Sequence, residues 1–198
     1  MNERIGLFGG CFNPVHCGHL AVARAALAEL LLDKVLFIPS GEPPLKGASG
    51  LLPGAERLAM INLAVAAEPM MEACDIEIAR PGLSFTVDTV RALQLTLPAG
   101  TELVFILGSD CLDRLPRWKG IEELHERLRF AVVQRPGAEQ HLNDPRLVAL
   151  PCEASSISST EVRGRLRCGL DAGALVPSPV ASYLMSRGHY AGTAGDLS

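Results

Sequence analysis

Short apolar runs rich in β-branched and aromatic residues alternate along the chain with longer stretches whose apolar positions recur at helical spacing. The short runs predict strands at Ile5–Phe8, Val35–Ile38, Asp75–Ile78, Leu103–Leu107 and Phe130–Val133, with a weaker one at Leu147–Leu150. Their near-continuous apolar character suits a sheet covered on both faces. Between them, helices are predicted near His19–Leu32, Ala55–Ala67, Val87–Leu97, Ile121–Glu126, Thr160–Cys168 and Pro179–Arg187, with a short helical turn at Cys111–Leu115. Gly188 is placed to close the last helix as a left-handed cap. Strands alternating with crossover helices give a doubly wound α/β fold, a mostly parallel sheet with helices on both faces. Ligands of such sheets bind at the carboxyl ends of the strands. No repeat or linker divides residues 1–191, which read as one domain, and the tail from Gly192 to Ser198 is expected to fray.

Composition narrows the function classes. The chain of 198 residues carries 18 Lys+Arg against 22 Asp+Glu, a net charge of −4, so a general nucleic-acid binder is disfavoured. A few well-placed donors can still hold a small anion. The apolar stretch Leu20–Leu32 is broken by Arg24 and Glu29 and is too short to span a bilayer. The six cysteines form no CxxC pair or regular framework, which points to free thiols in a reducing compartment, the cytoplasm by default. Pro43, Pro44, Gly47, Gly50 and Gly54 mark a long loop of the kind that is usually functional.

The first strand empties into Gly9-Gly10-Cys11-Phe12-Asn13-Pro14-Val15-His16-Cys17-Gly18-His19, directly before a helix. Gly9 and Gly10 allow backbone N–H groups to approach phosphate oxygens closely. His16 and His19 flank Gly18 at the helix entrance, where the dipole favours negative charge. Two imidazoles aimed at one phosphate can stabilise charge that grows in a transition state. A metal pair is the alternative, but further ligands at workable spacing are not evident nearby. Toward the other end, Ser158, Ser159 and Thr160 read as helix caps preceding Arg163, whose guanidinium matches phosphate geometry. Gly108-Ser109-Asp110 follows a strand at the ligand edge, and Asp110 could simply cap the next turn. Thr86 is a credible cap, Trp118 lies between Arg117 and Lys119, and Arg57 reads as a solvated or phosphate-facing charge on a helix with Met60 and Ile61.

The loop GGCFNPVHCGH resembles that of the nucleotidylyltransferase superfamily, of the form GxFxPxHxGH. Further segments resemble the nicotinate-nucleotide adenylyltransferases: IPSGEPPLK (Ile38 to Lys46), ERLAMINLA (Glu56 to Ala64), PGLSFTVDT (Pro81 to Thr89), FILGSD (Phe105 to Asp110) with Trp118, and ISSTEVR (Ile157 to Arg163). Cys11 stands where the family often has Thr, Asn13 where it often has Asp, and Leu45 where a His usually follows the prolines. The resemblance implies a Rossmann-like fold. It also implies adenylyl transfer from ATP, with Mg²⁺ carried on its phosphates, to nicotinate mononucleotide, with no nucleic-acid or membrane partner and an open oligomeric state. By the same resemblance His16, His19, Lys46 and Arg163 are the catalytic set. Gly9, Gly10, Phe12, Gly18, Gly108, Asp110, Ser158, Ser159 and Thr160 would hold ATP. Thr86 and Trp118 would hold the mononucleotide, the Trp by stacking on the pyridine ring. A related transferase using another acceptor, or a non-catalytic nucleotide-binding module, are the rival readings.

Overall fold

A computed structural model describes residues 2–42, 50–133, 144–152 and 157–190. The element order is β1 (Arg4–Gly10), α1 (Cys17–Glu29), β2 (Lys34–Pro39), α2 (Gly54–Val65), β3 (Met71–Ala73), α3 (Thr86–Thr96) and β4 (Glu102–Gly108). A 3-10 segment (Ser109–Arg117), α4 (Ile121–Arg127), β5 (Arg129–Val133), β6 (Leu147–Leu150), α5 (Ser159–Arg167) and α6 (Ser178–Arg187) complete it. The six strands form one parallel sheet in the order β3-β2-β1-β4-β5-β6.

Because successive strand residues point to opposite faces, each of β1, β2, β4 and β5 feeds two cores. Phe8, Phe37, Ile106 and Ala131 pack beneath α1, α2, α5 and α6, with Ala23, Met60, Ile61, Val162 and Val180. Leu7, Ile38, Phe105 and Phe130 pack on the other side beneath α3, the 3-10 segment and α4, with Val90, Leu115 and Leu124. This two-sided burial explains the continuous apolar runs, and the doubly wound architecture agrees with the sequence pattern.

Two local expectations are corrected. The third strand lies at Met71–Ala73, where Val35–Phe37 of β2 supply its ladder partners, and not at Asp75–Ile78. Asp75–Ile78 turns instead, the Ala79 N–H donating to the Asp75 carbonyl at 2.9 Å. Its two isoleucines bury without a ladder, Ile76 against the second core and Ile78 beside Gly54 at the start of α2. Helix α1 ends at Glu29 rather than Leu32, because Leu31 adopts a positive φ of 50° and the Leu32 N–H reaches back to the Leu27 carbonyl at 3.2 Å. Gly188 caps α6 in the left-handed region at φ 63°, as predicted. The tail 192–198 and the loop residues Leu45 and Lys46 lie outside the described residues.

Candidate active site

Strands β1 and β4 are neighbours, yet the chain leaves β1 toward one face of the sheet and β4 toward the other. The connections therefore part at their carboxyl ends and open a crevice. A cavity of about 310 Å³ occupies it, bounded by Gly9, Gly10, Thr86, Phe105, Gly108 and Trp118. Five sequence-predicted site residues from four separate segments are thus brought to one space. A Cβ at Gly108 would meet the Asp110 carboxylate, which would have to swing aside. Asp110 itself is exposed and folds back over Gly108.

The wall made by Thr86 and Trp118 is apolar with a cationic rim. Trp118 is held edge-on against Phe105 and Phe130, ring centroids 5.5 and 6.2 Å away. Arg114, Arg117 and Lys119 border the same space. Lys119 is committed to Asp88 at 2.9 Å and lies 4.5 Å over the Phe85 ring. Thr86 begins α3; the Asp88 and Thr89 N–H groups donate to the Phe85 carbonyl at 3.0 and 3.2 Å, so it is the N–H groups of Thr86 and Val87 that are suited to an anion. Glu77 also borders the cavity. Burial pushes its carboxyl pKa up, and it accepts from the Thr89 hydroxyl at 2.7 Å. Beside it the Gly41 N–H donates to the buried Ser84 hydroxyl at 3.2 Å.

The histidines form a second cluster where α1 begins. Their rings are close and tilted by 30°, centroids 3.6 Å apart. The His16 N–H donates to His19 Nδ1 at 3.1 Å, which assigns the proton of the neutral His19 ring to Nε2. Burial lowers the His16 pKa to about 4, and burial together with the neighbouring His16 carries His19 well below its ordinary value. Both are neutral imidazoles at pH 7, donors rather than cations. His16 is 7% exposed, and its buried Nδ1 has no partner among the described residues. A buried polar atom of this kind asks for a ligand or water partner. The Phe12 side chain leaves the cavity for the first core and braces His19, centroids 5.0 Å apart. Gly18 is buried in the first turn of α1.

Helix α5 docks its N-terminus on the same loop. Ser159 donates to the Pro14 carbonyl at 2.9 Å, and Arg163 donates to the Asn13 carbonyl at 2.7 Å and to Thr160 at 3.2 Å. Ser158 caps the helix, accepting from the Glu161 N–H at 3.1 Å. The dipole end and the arginine predicted for phosphates therefore stand against the loop that carries His16.

Three further residues hold the loops. Arg57 is 1% exposed, not solvated: its guanidinium donates to the carbonyls of Leu52 (2.9 Å), Cys11 (2.9 Å) and Ser40 (2.6 Å). Asn13, read in the sequence only as a departure from the family, uses its side chain to join Gly50, Leu52 and Tyr190. Helical spacing with Met60, Ile61 and Ala64 was the available sign that Arg57 faces inward. Nothing local marks Tyr190.

The cytidylyltransferase-like family profile matches residues 7–165. A "probable nicotinate-nucleotide adenylyltransferase" of Shouchella clausii is 40% identical over 188 residues, covering 95% of this chain and 97% of its own. One of Salinibacter ruber is 42% identical over 186 residues, covering 91% and 94%. The chain belongs to the nicotinate-nucleotide adenylyltransferases. The fold is shared with a solved member from Plasmodium falciparum complexed with NaAD (TM-score 0.79, 17% identity, 96% of this chain and 98% of that one). The same enzyme complexed with APC superposes with a TM-score of 0.78 at 18% identity, covering 96% and 98%. Nicotinate-nucleotide adenylyltransferases are nucleotidyltransferases; in this member Gly9, Gly10, Thr86, Gly108 and Trp118 line the crevice between β1 and β4, and Arg163 bonds the loop that carries His16.

Proposed function

We propose that this chain transfers the adenylyl group of ATP to nicotinate mononucleotide, giving nicotinate adenine dinucleotide and pyrophosphate. A phosphate oxygen of the mononucleotide attacks the α-phosphorus of ATP, and the bond from that phosphorus to the oxygen bridging to the β-phosphate breaks. The nucleophile is already ionised, so no covalent enzyme intermediate is required. Catalysis then rests on positioning and on charge stabilisation.

The observation that carries this reading is a neutral, close-packed histidine pair on the same glycine loop whose Gly9, Gly10 and Cys11 line a cavity with a tryptophan and the first residue of α3 on its wall. His16 and His19 donate to the α-phosphate oxygens as charge accumulates there. Arg163, the α5 N-terminus with Ser158, Ser159 and Thr160, and Lys46 take the leaving pyrophosphate. Gly9, Gly10 and Gly108 line the nucleotide's path, with Asp110 beside it. Thr86 and Trp118 hold the pyridine ring and its carboxylate. Mg²⁺ arrives bound to the phosphates of ATP and shields their charge.

No helix among the described residues is long and apolar enough to cross a membrane. None of the six cysteines is in a disulfide, which fits action in the reducing cytoplasm. Incubation with ATP, Mg²⁺ and nicotinate mononucleotide should yield pyrophosphate and dinucleotide in equal amounts, read by coupled phosphate release and by mass. Pyrophosphate without dinucleotide, or neither product, overturns the reading.

A further inference from the structure

The amide of Asn13 is 6% exposed and joins three parts of the fold. Its Oδ1 accepts from the Leu52 N–H at 3.0 Å, and its Nδ2 donates to the Gly50 carbonyl at 2.9 Å. Because the first partner can only donate and the second only accept, the amide has a single orientation. The remaining contact of Oδ1 is the Tyr190 hydroxyl at 2.6 Å, which must therefore donate. The main-chain carbonyl of the same residue accepts from Arg163 at 2.7 Å. Asn13 thus ties the loop before α2, Arg163 of α5 and the residues just after α6 to the glycine loop, three residues before His16.

Tyr190 is built to hold that position. Its backbone takes a positive φ of 62°, a conformation uncommon for a bulky residue, just beyond the Gly188 cap. On one side the chain is anchored to α2, where the adjacent His189 ring meets Glu56 at 2.8 Å. The Tyr190 ring packs on the first core, and burial raises its hydroxyl pKa, so the donor proton is retained throughout the working pH range.

We propose that Tyr190 is a positioning residue for adenylyl transfer, its hydroxyl fixing the Asn13 amide and through it the loop that presents His16. The inference rests on the reading of His16 as a donor to the reacting phosphate. A loop set slightly wrong lowers transition-state stabilisation more than ground-state binding, so kcat bears the effect.

The test uses two variants that each delete one hydroxyl from the same C-terminal element. Tyr190→Phe is expected to lower kcat about fivefold, the worth of one buried hydrogen bond, with the KM for nicotinate mononucleotide unchanged. Tyr183→Phe, which loses a hydrogen bond of similar length to Glu56, is expected to keep wild-type kcat. In an Asn13→Ala background the Tyr190→Phe effect should vanish, because both act through one contact. Amide exchange at Leu52, which shares Asn13 Oδ1, should quicken in Tyr190→Phe and not in Tyr183→Phe. Equal kcat in Tyr190→Phe and wild type, equal losses in both variants, or additive losses with Asn13→Ala each overturn the proposal. A wild-type protein that releases no pyrophosphate overturns the reading of the site instead, and unchanged Leu52 exchange in Tyr190→Phe then independently overturns the hold on the loop.

Discussion

Replacing Arg57 by Met removes a buried guanidinium while keeping most of its stem. Three carbonyls from three separate segments lose a charge-assisted donor: Cys11 after β1, Ser40 after β2 and Leu52 before α2. Such bonds are individually worth about 1.5–3 kcal/mol, and an acceptor left dry costs about 1–3 kcal/mol. Cys11 and Ser40 border the cavity, so water can reach their carbonyls, and removing a buried charge recovers some desolvation. The net loss is then about 3 kcal/mol, mostly from the Leu52 carbonyl and the loosened loops. For a chain of 198 residues, about 2–4 °C per kcal/mol converts this to a fall in Tm of about 6–12 °C. Arg57→Lys keeps the charge but cannot fork to three acceptors, so it should recover less than half of that. Thermal unfolding followed by circular dichroism measures both. A Met variant melting within about 2 °C of wild type would refute the idea that this guanidinium staples the loops.

His19→Ala should lower kcat at least about a hundredfold with the fold intact, as expected for loss of one transition-state donor worth about 3 kcal/mol; single-turnover kinetics beside a circular dichroism spectrum checks it. Acid should destabilise the protein through His16. The unfolded chain takes up that proton near pH 6.5 but the native state only near pH 4, so the unfolded state binds more protons between them and stability falls as pH drops through that window. The loss is about 3 kcal/mol across the window, to which His19 adds in the same direction. Urea titrations from pH 7 to pH 4 should show the slope, and His16→Gln should flatten it; a slope unchanged by that substitution would clear His16 of the effect.

The strands and most helices were legible because burial on both faces leaves continuous apolar runs and helical periods in the sequence. Asp75–Ile78 misled for a definite reason. Two isoleucines flanking Glu77 have the period of a strand whether they sit on a ladder or bury one by one from a turn, and only the register with Val35–Phe37 separates the cases. The turn brings Glu77 to the cavity wall. Gly9, Gly10, Thr86, Gly108 and Trp118 could be named because their motifs are local. The residues that hold the loops could not, since their partners are distant in sequence: Tyr190 meets Asn13 across 177 positions, and Arg57 reaches Cys11 across 46. A hydrogen bond between a side chain and a far carbonyl leaves no period and no spacing to read.

The proposed acceptor is a mononucleotide that carries a carboxylate. The cavity wall that would receive the pyridine ring offers the N–H groups of Thr86 and Val87 at the start of α3 and the cations Arg114 and Arg117, which suit an anion. An amide would set its NH₂ against these donors, and opposed buried polar groups of that kind give discrimination on the order of 10⁴. Steady-state pyrophosphate release with ATP, comparing nicotinate and nicotinamide mononucleotides, measures it directly. The predicted result is rapid turnover of the acid with kcat/KM higher by roughly 10³ or more than for the amide. Values for the two acceptors within about tenfold of each other, or turnover of the amide alone, would rule out a carboxylate-selective site.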